Sequence, residues 1–284
     1  MAYKSKNSYI FLVLLIILAS LASAQPIKKS IAISLRERQI QDLSGSGLLL
    51  AYYIDIKNSS SKPVYLTGYD YRFLVNSQEY LRLETDLENP IRIDANGDTL
   101  ISLPLKITYD LLFKAIPGME AEDKAVCYLS GNFVFSYSSK KGDKVPFTFS
   151  GEFPIFREPE VEFLALEVKD LTIGGADLLF SVKFKNNNGF ELLVDKLSYS
   201  LYLGENILSQ GLIEGDKSIT KKGEKVFSLS LLLNFFEVGK EVYNILQLTS
   251  SLCRFSGEAE ITTVWGRIKI PFEIREEISI TKAS

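Results

Sequence analysis

Apolar and polar residues alternate with a period of two through most of this chain. In 176–204, Phe180, Val182 and Phe184 share one face against Ser181, Lys183 and Lys185. After an Asn-rich turn, Leu197, Tyr199, Leu201 and Leu203 share a face against Ser198, Ser200 and Tyr202. Successive side chains of a strand point to opposite sides of a sheet, so each run predicts a half-buried strand. The pattern also stands 128 positions earlier: Tyr52, Ile54 and Ile56, then Lys57-Asn58, then Tyr69, Tyr71, Phe73 and Val75. Upstream, Ile31, Ile33 and Leu35 correspond to Pro159, Val161 and Phe163, and Ile40, Leu43 and Gly47 to Val168, Leu171 and Gly175. The prediction is a duplicated, mainly β chain.

Downstream the offset becomes 126. Leu100–Leu103 after Gly97 and Val226–Leu229 after Gly223 alternate in the same way. The period then lengthens to about 3.6 residues. Tyr109, Leu112, Phe113 and Ile116 fit one helix face, as do Phe235, Val238, Val242, Ile245 and Leu246, so one short helix is expected per copy. Pro117-Gly118 closes the first helix. Each copy ends in a hairpin, opened by Leu129-Ser130-Gly131 or Phe255-Ser256-Gly257 and returned by Val145-Pro146-Phe147 or Ile270-Pro271-Phe272. Proline cannot donate to a ladder, which predicts edge strands or bulges there. The seam Gly151–Glu160 leaves no room for a flexible spacer and predicts close neighbours, with domains at 29–157 and 160–277.

The N-terminus changes the compartment. Lys4 and Lys6, the apolar run Ile10–Leu18 and the small residues Ala22-Ser23-Ala24 have the layout of a cleaved signal peptide over 1–24. The uncharged stretch Ser8–Ala24 falls short of the roughly 20 apolar residues of a spanning helix, so an uncleaved membrane anchor is the alternative. Export to the periplasm or extracellular space is expected. Losing the two lysines moves the formal charge from −3 to −5, leaving no basic footprint for nucleic acid. Hydrophobic residues at 46% supply enough apolar surface for packed cores rather than disorder. The chain has no histidine, which removes the usual general base, the usual metal ligand and every Ser-His or Cys-His pair.

The order of strand, Asn turn, Tyr-bearing strand, Gly turn, helix and Ser-Gly hairpin resembles the water stress and hypersensitive response domain. This is the folded, desiccation-related group of late embryogenesis abundant proteins. Lys185-Asn186-Asn187-Asn188 stands at that family's Asn-Pro-Asn turn and lacks its proline, while Leu193–Tyr202 stands at the next strand. Phe255-Ser256-Gly257 and Gly266–Phe272 stand at its closing hairpin. Lys57-Asn58, Tyr71, Leu129-Ser130-Gly131 and Val145-Pro146-Phe147 give a looser match in the first copy. The resemblance implies two tandem β-sandwiches of immunoglobulin or fibronectin-III type, each with one short helix. It also implies tolerance of drying through shielding of a membrane surface or client proteins. It carries no catalytic residues, no cofactor and no small-molecule substrate.

Few residues offer chemistry of their own. Cys127 and Cys253 stand 126 apart and share parity with core residues of their hairpins, so both read as inward-facing thiols. Equivalent positions of separate sandwiches lie too far apart for a disulfide, and both are expected free. Asp94-Ala95-Asn96-Gly97-Asp98 has the alternate oxygens of a calcium loop, but Leu105 takes the place of its closing carboxylate, so a plain Gly turn is expected. Glu84, Asp86, Glu88 and Glu276-Glu277 are the carboxylates that a histidine-free hydrolase would need to bring together. Trp265 at a hairpin tip is the candidate contact residue, with folding back onto its own sheet as the bland alternative. The leading expectation is a non-enzymatic exported protein of water-stress type. The runner-up is an exported binding module for a specific protein partner, and a carboxylate-only enzyme comes third.

Overall fold

The computed structural model describes residues 27–137 and 142–282. The predicted signal segment 1–24 lies outside them. A single helical turn, α1 (Ile27–Ser30), leads into β1 (Ile31–Ser44), β2 (Gly47–Asn58), β3 (Val64–Val75), β4 (Gln78–Ile93) and β5 (Asp98–Thr108). Helix α2 (Tyr109–Ala115) and a 3-10 turn (Met119–Ala121) precede β6 (Lys124–Ser136) and β7 (Asp143–Pro154). The second half runs β8 (Glu160–Leu171), β9 (Gly175–Lys185), β10 (Leu192–Leu203), β11 (Asn206–Ile219) and β12 (Glu224–Asn234). Helices α3 (Phe235–Val238) and α4 (Lys240–Leu246) follow, then β13 (Ser250–Thr263) and β14 (Gly266–Lys282). The chain is mainly β, as its alternation predicts.

The first half forms two sheets, ordered β1-β2-β5 and β4-β3-β6-β7. In the second half the pairings β8-β9-β12 and β11-β10-β13-β14 follow the same order. There the two sheets join into one of seven strands, because Ile280–Lys282 of β14 pairs in parallel with Leu166–Val168 of β8. A strand that passes from one sheet to another closes an edge between facing layers. Bulges recur as well, between Leu35 and Glu37 in β1 and between Phe163 and Ala165 in β8. Each lets the strand shift its inward set by one position and keep an apolar face on the core.

The alternating residues go where the sequence places them. Tyr52, Ile54, Ile56, Phe73, Phe180, Val182, Leu197 and Leu201 are fully buried, whereas Tyr69 and Tyr199 are half-buried. Aromatic pairs bridge the facing sheets: Tyr52 of β2 with Phe149 of β7 at 6.4 Å, and Phe180 of β9 with Phe255 of β13 at 5.4 Å. The Ser-Gly hairpins also have a packing reason. A Cβ on Gly131 would stand 1.9 Å from the Asp70 carbonyl oxygen, and one on Gly257 1.9 Å from that of Ser198. Only glycine admits that approach of neighbouring strands.

Two expectations need correction. The second predicted helix is two helices, broken at Gly239 with φ 94°, a left-handed conformation that no helix interior accommodates. Strand β14 continues past 277 to Lys282, because Ile278 and Ile280 are buried and the last residues pair with β8. β7 is an edge strand as Pro146 predicts, while β14 is an edge at Pro271 but loses that status at its far end.

Candidate functional site

The two cysteines occupy corresponding places in unlike surroundings. Both are free and buried. The Tyr52 hydroxyl lies 3.6 Å from Cys127 Sγ, and Arg38 Nη1 donates to the same sulfur at 3.9 Å. The Arg38 guanidinium fills the space above Gly151, where a Cβ would lie 1.2 Å from Nη1. At the positions 128 further on stand Leu166 and Phe180, so Cys253 has an apolar setting. Burial pushes the Cys253 thiol up to about 12. Burial also raises Cys127, opposed by Tyr52 and Arg38, and it raises the Tyr52 hydroxyl. Nucleophilic sulfur is thiolate, so these two thiols are held in their inert form.

Beneath the Asn-rich turns lies a feature that composition alone does not single out. Asn58 and Asn186 are fully buried. Asn186 Nδ2 donates to the carbonyls of Phe190, Ile219 and Thr220 at 2.8, 3.3 and 3.0 Å. Asn58 Nδ2 donates to those of Lys62, Ile93 and Asp94 at 2.9, 3.4 and 2.9 Å. The Oδ1 of each accepts the backbone N–H two residues on. One amide thereby fastens the turn after β2 or β9 to the Gly turn after β4 or β11. It gives the carbonyls of Ile93 and Ile219 a buried donor and adds a second donor to those of Asp94 and Thr220, which also accept from Gly97 and Gly223.

The densest polar cluster joins the two halves. Asp123, just before β6, accepts from Arg157 Nη1 at 3.0 Å and from Lys222 Nζ at 2.7 Å. Arg157 Nη2 also donates to the carbonyls of Glu120 and Glu122, both at 2.7 Å. Its backbone exchanges two 2.8 Å hydrogen bonds with the Asn188 side chain. Burial would raise Asp123, but Lys222 and Arg157 outweigh it and hold the carboxyl below its ordinary value. Beside this cluster the buried Tyr109 hydroxyl donates to Pro154 O at 2.9 Å and accepts from Phe156 N–H. An open cleft of about 440 Å³ runs past Tyr109, Phe113 and Phe156. The hydroxyl of Tyr109 and the guanidinium of Arg157 are spent on fastening residues 154–157 to the first half, while Lys222 and Asn188 reach the same cluster from the second.

The other candidates are not gathered into a site. Asp94 pairs with Arg92 at 2.9 Å, and its carbonyl accepts Gly97 N–H in a plain turn. No group of three or more Cys, Asp or Glu among the described residues is arranged to hold a metal ion. Glu84, Asp86 and Glu88 lie exposed along β4, and Glu276 and Glu277 exposed on β14. These carboxylates stand in separate sheets. Trp265 is half-buried against the core, its backbone N–H bonded to Thr263 Oγ1 at 3.0 Å, while neighbouring Val264 is exposed. Near the Ile270-Pro271-Phe272 motif, Val161, Phe184 and Ile261 help line a slot of about 240 Å³. That is below the roughly 300–1,000 Å³ of ordinary ligand pockets.

The span from within β9 to within β14 contains the Asn186 network, the Ser-Gly hairpin and the Pro271 strand, and it matches a known family. Residues 181–276 match the model for late embryogenesis abundant protein. No curated protein matches the chain. Solved structures give distant likenesses. A protein from Archaeoglobus fulgidus is 13% identical with a TM-score of 0.33, over 44% of this chain and 94% of that one. An Arabidopsis thaliana protein solved in solution is 13% identical with a TM-score of 0.37, over 47% and 88%. A red sea bream transglutaminase is 12% identical with a TM-score of 0.30, over 89% of this chain and 32% of that one.

Proposed function

We propose that this chain is a non-enzymatic, exported protein of the late embryogenesis abundant type that protects membranes or proteins during water loss. The observation that carries the reading is the family match over residues 181–276. The finer reading is two tandem immunoglobulin- or fibronectin-III-like sandwiches of the water stress and hypersensitive response group. It is supported by the recurring strand order, the recurring bulges and the paired networks of Asn58 and Asn186. Protection then comes from a folded surface that stands in for lost hydration contacts and keeps neighbours apart.

The test is recovery of a labile enzyme after drying with this protein, with albumin at equal mass, or with buffer. Recovery well above albumin is expected, and it should survive loss of any single carboxylate. Recovery equal to albumin removes a specific role in protecting proteins.

A further inference from the structure

The most exposed large apolar side chains gather at the end of the second half remote from the junction. Ile173 in the β8–β9 turn, Leu232 near the end of β12 and Phe236 in α3 are 92%, 85% and 90% exposed. The backbone brings them together. Leu232 pairs with Asp177, Asn234 pairs with Gly175, and Phe235 N–H donates to Gly174 O at 3.0 Å. The corresponding residues of the first half are Gly45, Lys106 and Asp110. That end is partly covered, since a Cβ on Gly45 would meet the Glu158 side chain at 2.8 Å. The covered end is small and charged, and the free end is apolar. Clustered exposed apolar residues mark a contact surface.

We propose that this tip inserts into the interfacial layer of a lipid bilayer, giving the membrane arm of the proposed function its point of contact. It rests on that reading only for its physiological use. Several backbone donors at the tip are already bonded. Thr172 N–H donates to Gly175 O, Gly175 N–H to Thr172 Oγ1, Phe236 N–H to Asn234 Oδ1 and Gly239 N–H to Phe235 O. Entering an apolar layer therefore strips no water from these donors.

A second copy docked head to tail does not fit. At the places of Asp123 and Tyr109 the second half has Thr249 and Phe235, and at those of Arg157 and Lys222 the first half has Lys29 and Asn96. The ion pairs of the internal junction cannot form between molecules. Three side chains, the largest an aromatic that buries roughly 150–250 Å², also fall short of the ~800 Å² per partner of a stable protein interface. The nearby charges, Lys169, Asp170, Asp177, Glu237, Lys240 and Glu241, lean negative. Zwitterionic lipid is the occupant that suits them, with little dependence on salt.

The test places an indole at the tip. The full-length chain carrying Phe236→Trp and Trp265→Phe is mixed with phosphatidylcholine vesicles whose acyl chains carry bromine. The native chain serves as control, because Trp265 lies at the junction end and reports any attachment made elsewhere. A blue shift and a roughly twofold loss of tip emission are expected, as for a side chain at the headgroup–acyl boundary. Adding Ile173→Ser and Leu232→Ser should restore the emission. Quenching no greater than that of native Trp265 overturns the proposal. So does a concentration-dependent blue shift without lipid, which would assign the tip to a second copy. Neither outcome depends on drying, so failure here and failure of the protective reading are separable.

Discussion

Asn186, itself fully buried, holds three carbonyls with one amide. Asn186→Ala should destabilise the protein by about 1–3 kcal/mol, the cost of one buried polar group left without its partner, here at the Ile219 carbonyl. Denaturant unfolding with an unchanged slope would measure it. Cys253 makes a prediction about alkaline pH. Its folded pKa is about 12, above the ordinary thiol value near 8.5, so the unfolded chain ionises first. Its contribution is intact below about pH 8.5 and is lost as pH rises towards 12. The loss should reach about 2 kcal/mol by pH 10 relative to Cys253→Val, read as the difference in pH slope. Equal slopes would mean that the thiol is not held as buried. At this scale the sequence revealed burial through parity but not partners. Arg38 and Tyr52 stand where the second half has Leu166 and Phe180, and that contrast at fixed offset was the available signal.

Among elements, the strands were legible because a two-residue period has one physical meaning wherever one face is buried. The helix after β12 was not. Its apolar residues keep a 3.6 period across Gly239, and the left-handed kink there leaves no trace in that spacing. The far end of β14 was missed because it is set by pairing with β8, a strand remote in sequence. The Ser-Gly hairpin makes the sharpest mutational prediction of this scale. A Cβ at Gly257 would lie 1.9 Å from a backbone oxygen of β10, which a side-chain rotation cannot relieve. Gly257→Ala should cost about 3 kcal/mol or more, as overpacking against fixed backbone does. Thermal unfolding checks it, and a loss below 1 kcal/mol would show that the strands stand farther apart.

For the whole molecule, the junction sets behaviour. Arg157 reaches Asp123 and two carbonyls of the first half while its backbone is held by Asn188 of the second. Calorimetry should find one cooperative transition in the native chain. Arg157→Ala should split it in two, with about 2 kcal/mol of coupling lost, the scale of charge-assisted hydrogen bonds. The seam's tightness was legible in its two prolines and short length. The ion pairs were not, because Asp123, Arg157 and Lys222 meet only in the fold. The free apolar tip escaped sequence reading for the same reason: Ile173, Leu232 and Phe236 come from a turn, a strand and a helix and meet only in the fold. The protective account is tested most directly by dye-loaded phosphatidylcholine vesicles dried and rehydrated with the protein from Gln25 onward or with albumin at equal mass. The account predicts that vesicles dried with this protein keep clearly more dye than those dried with albumin. Retention no better than albumin would contradict it.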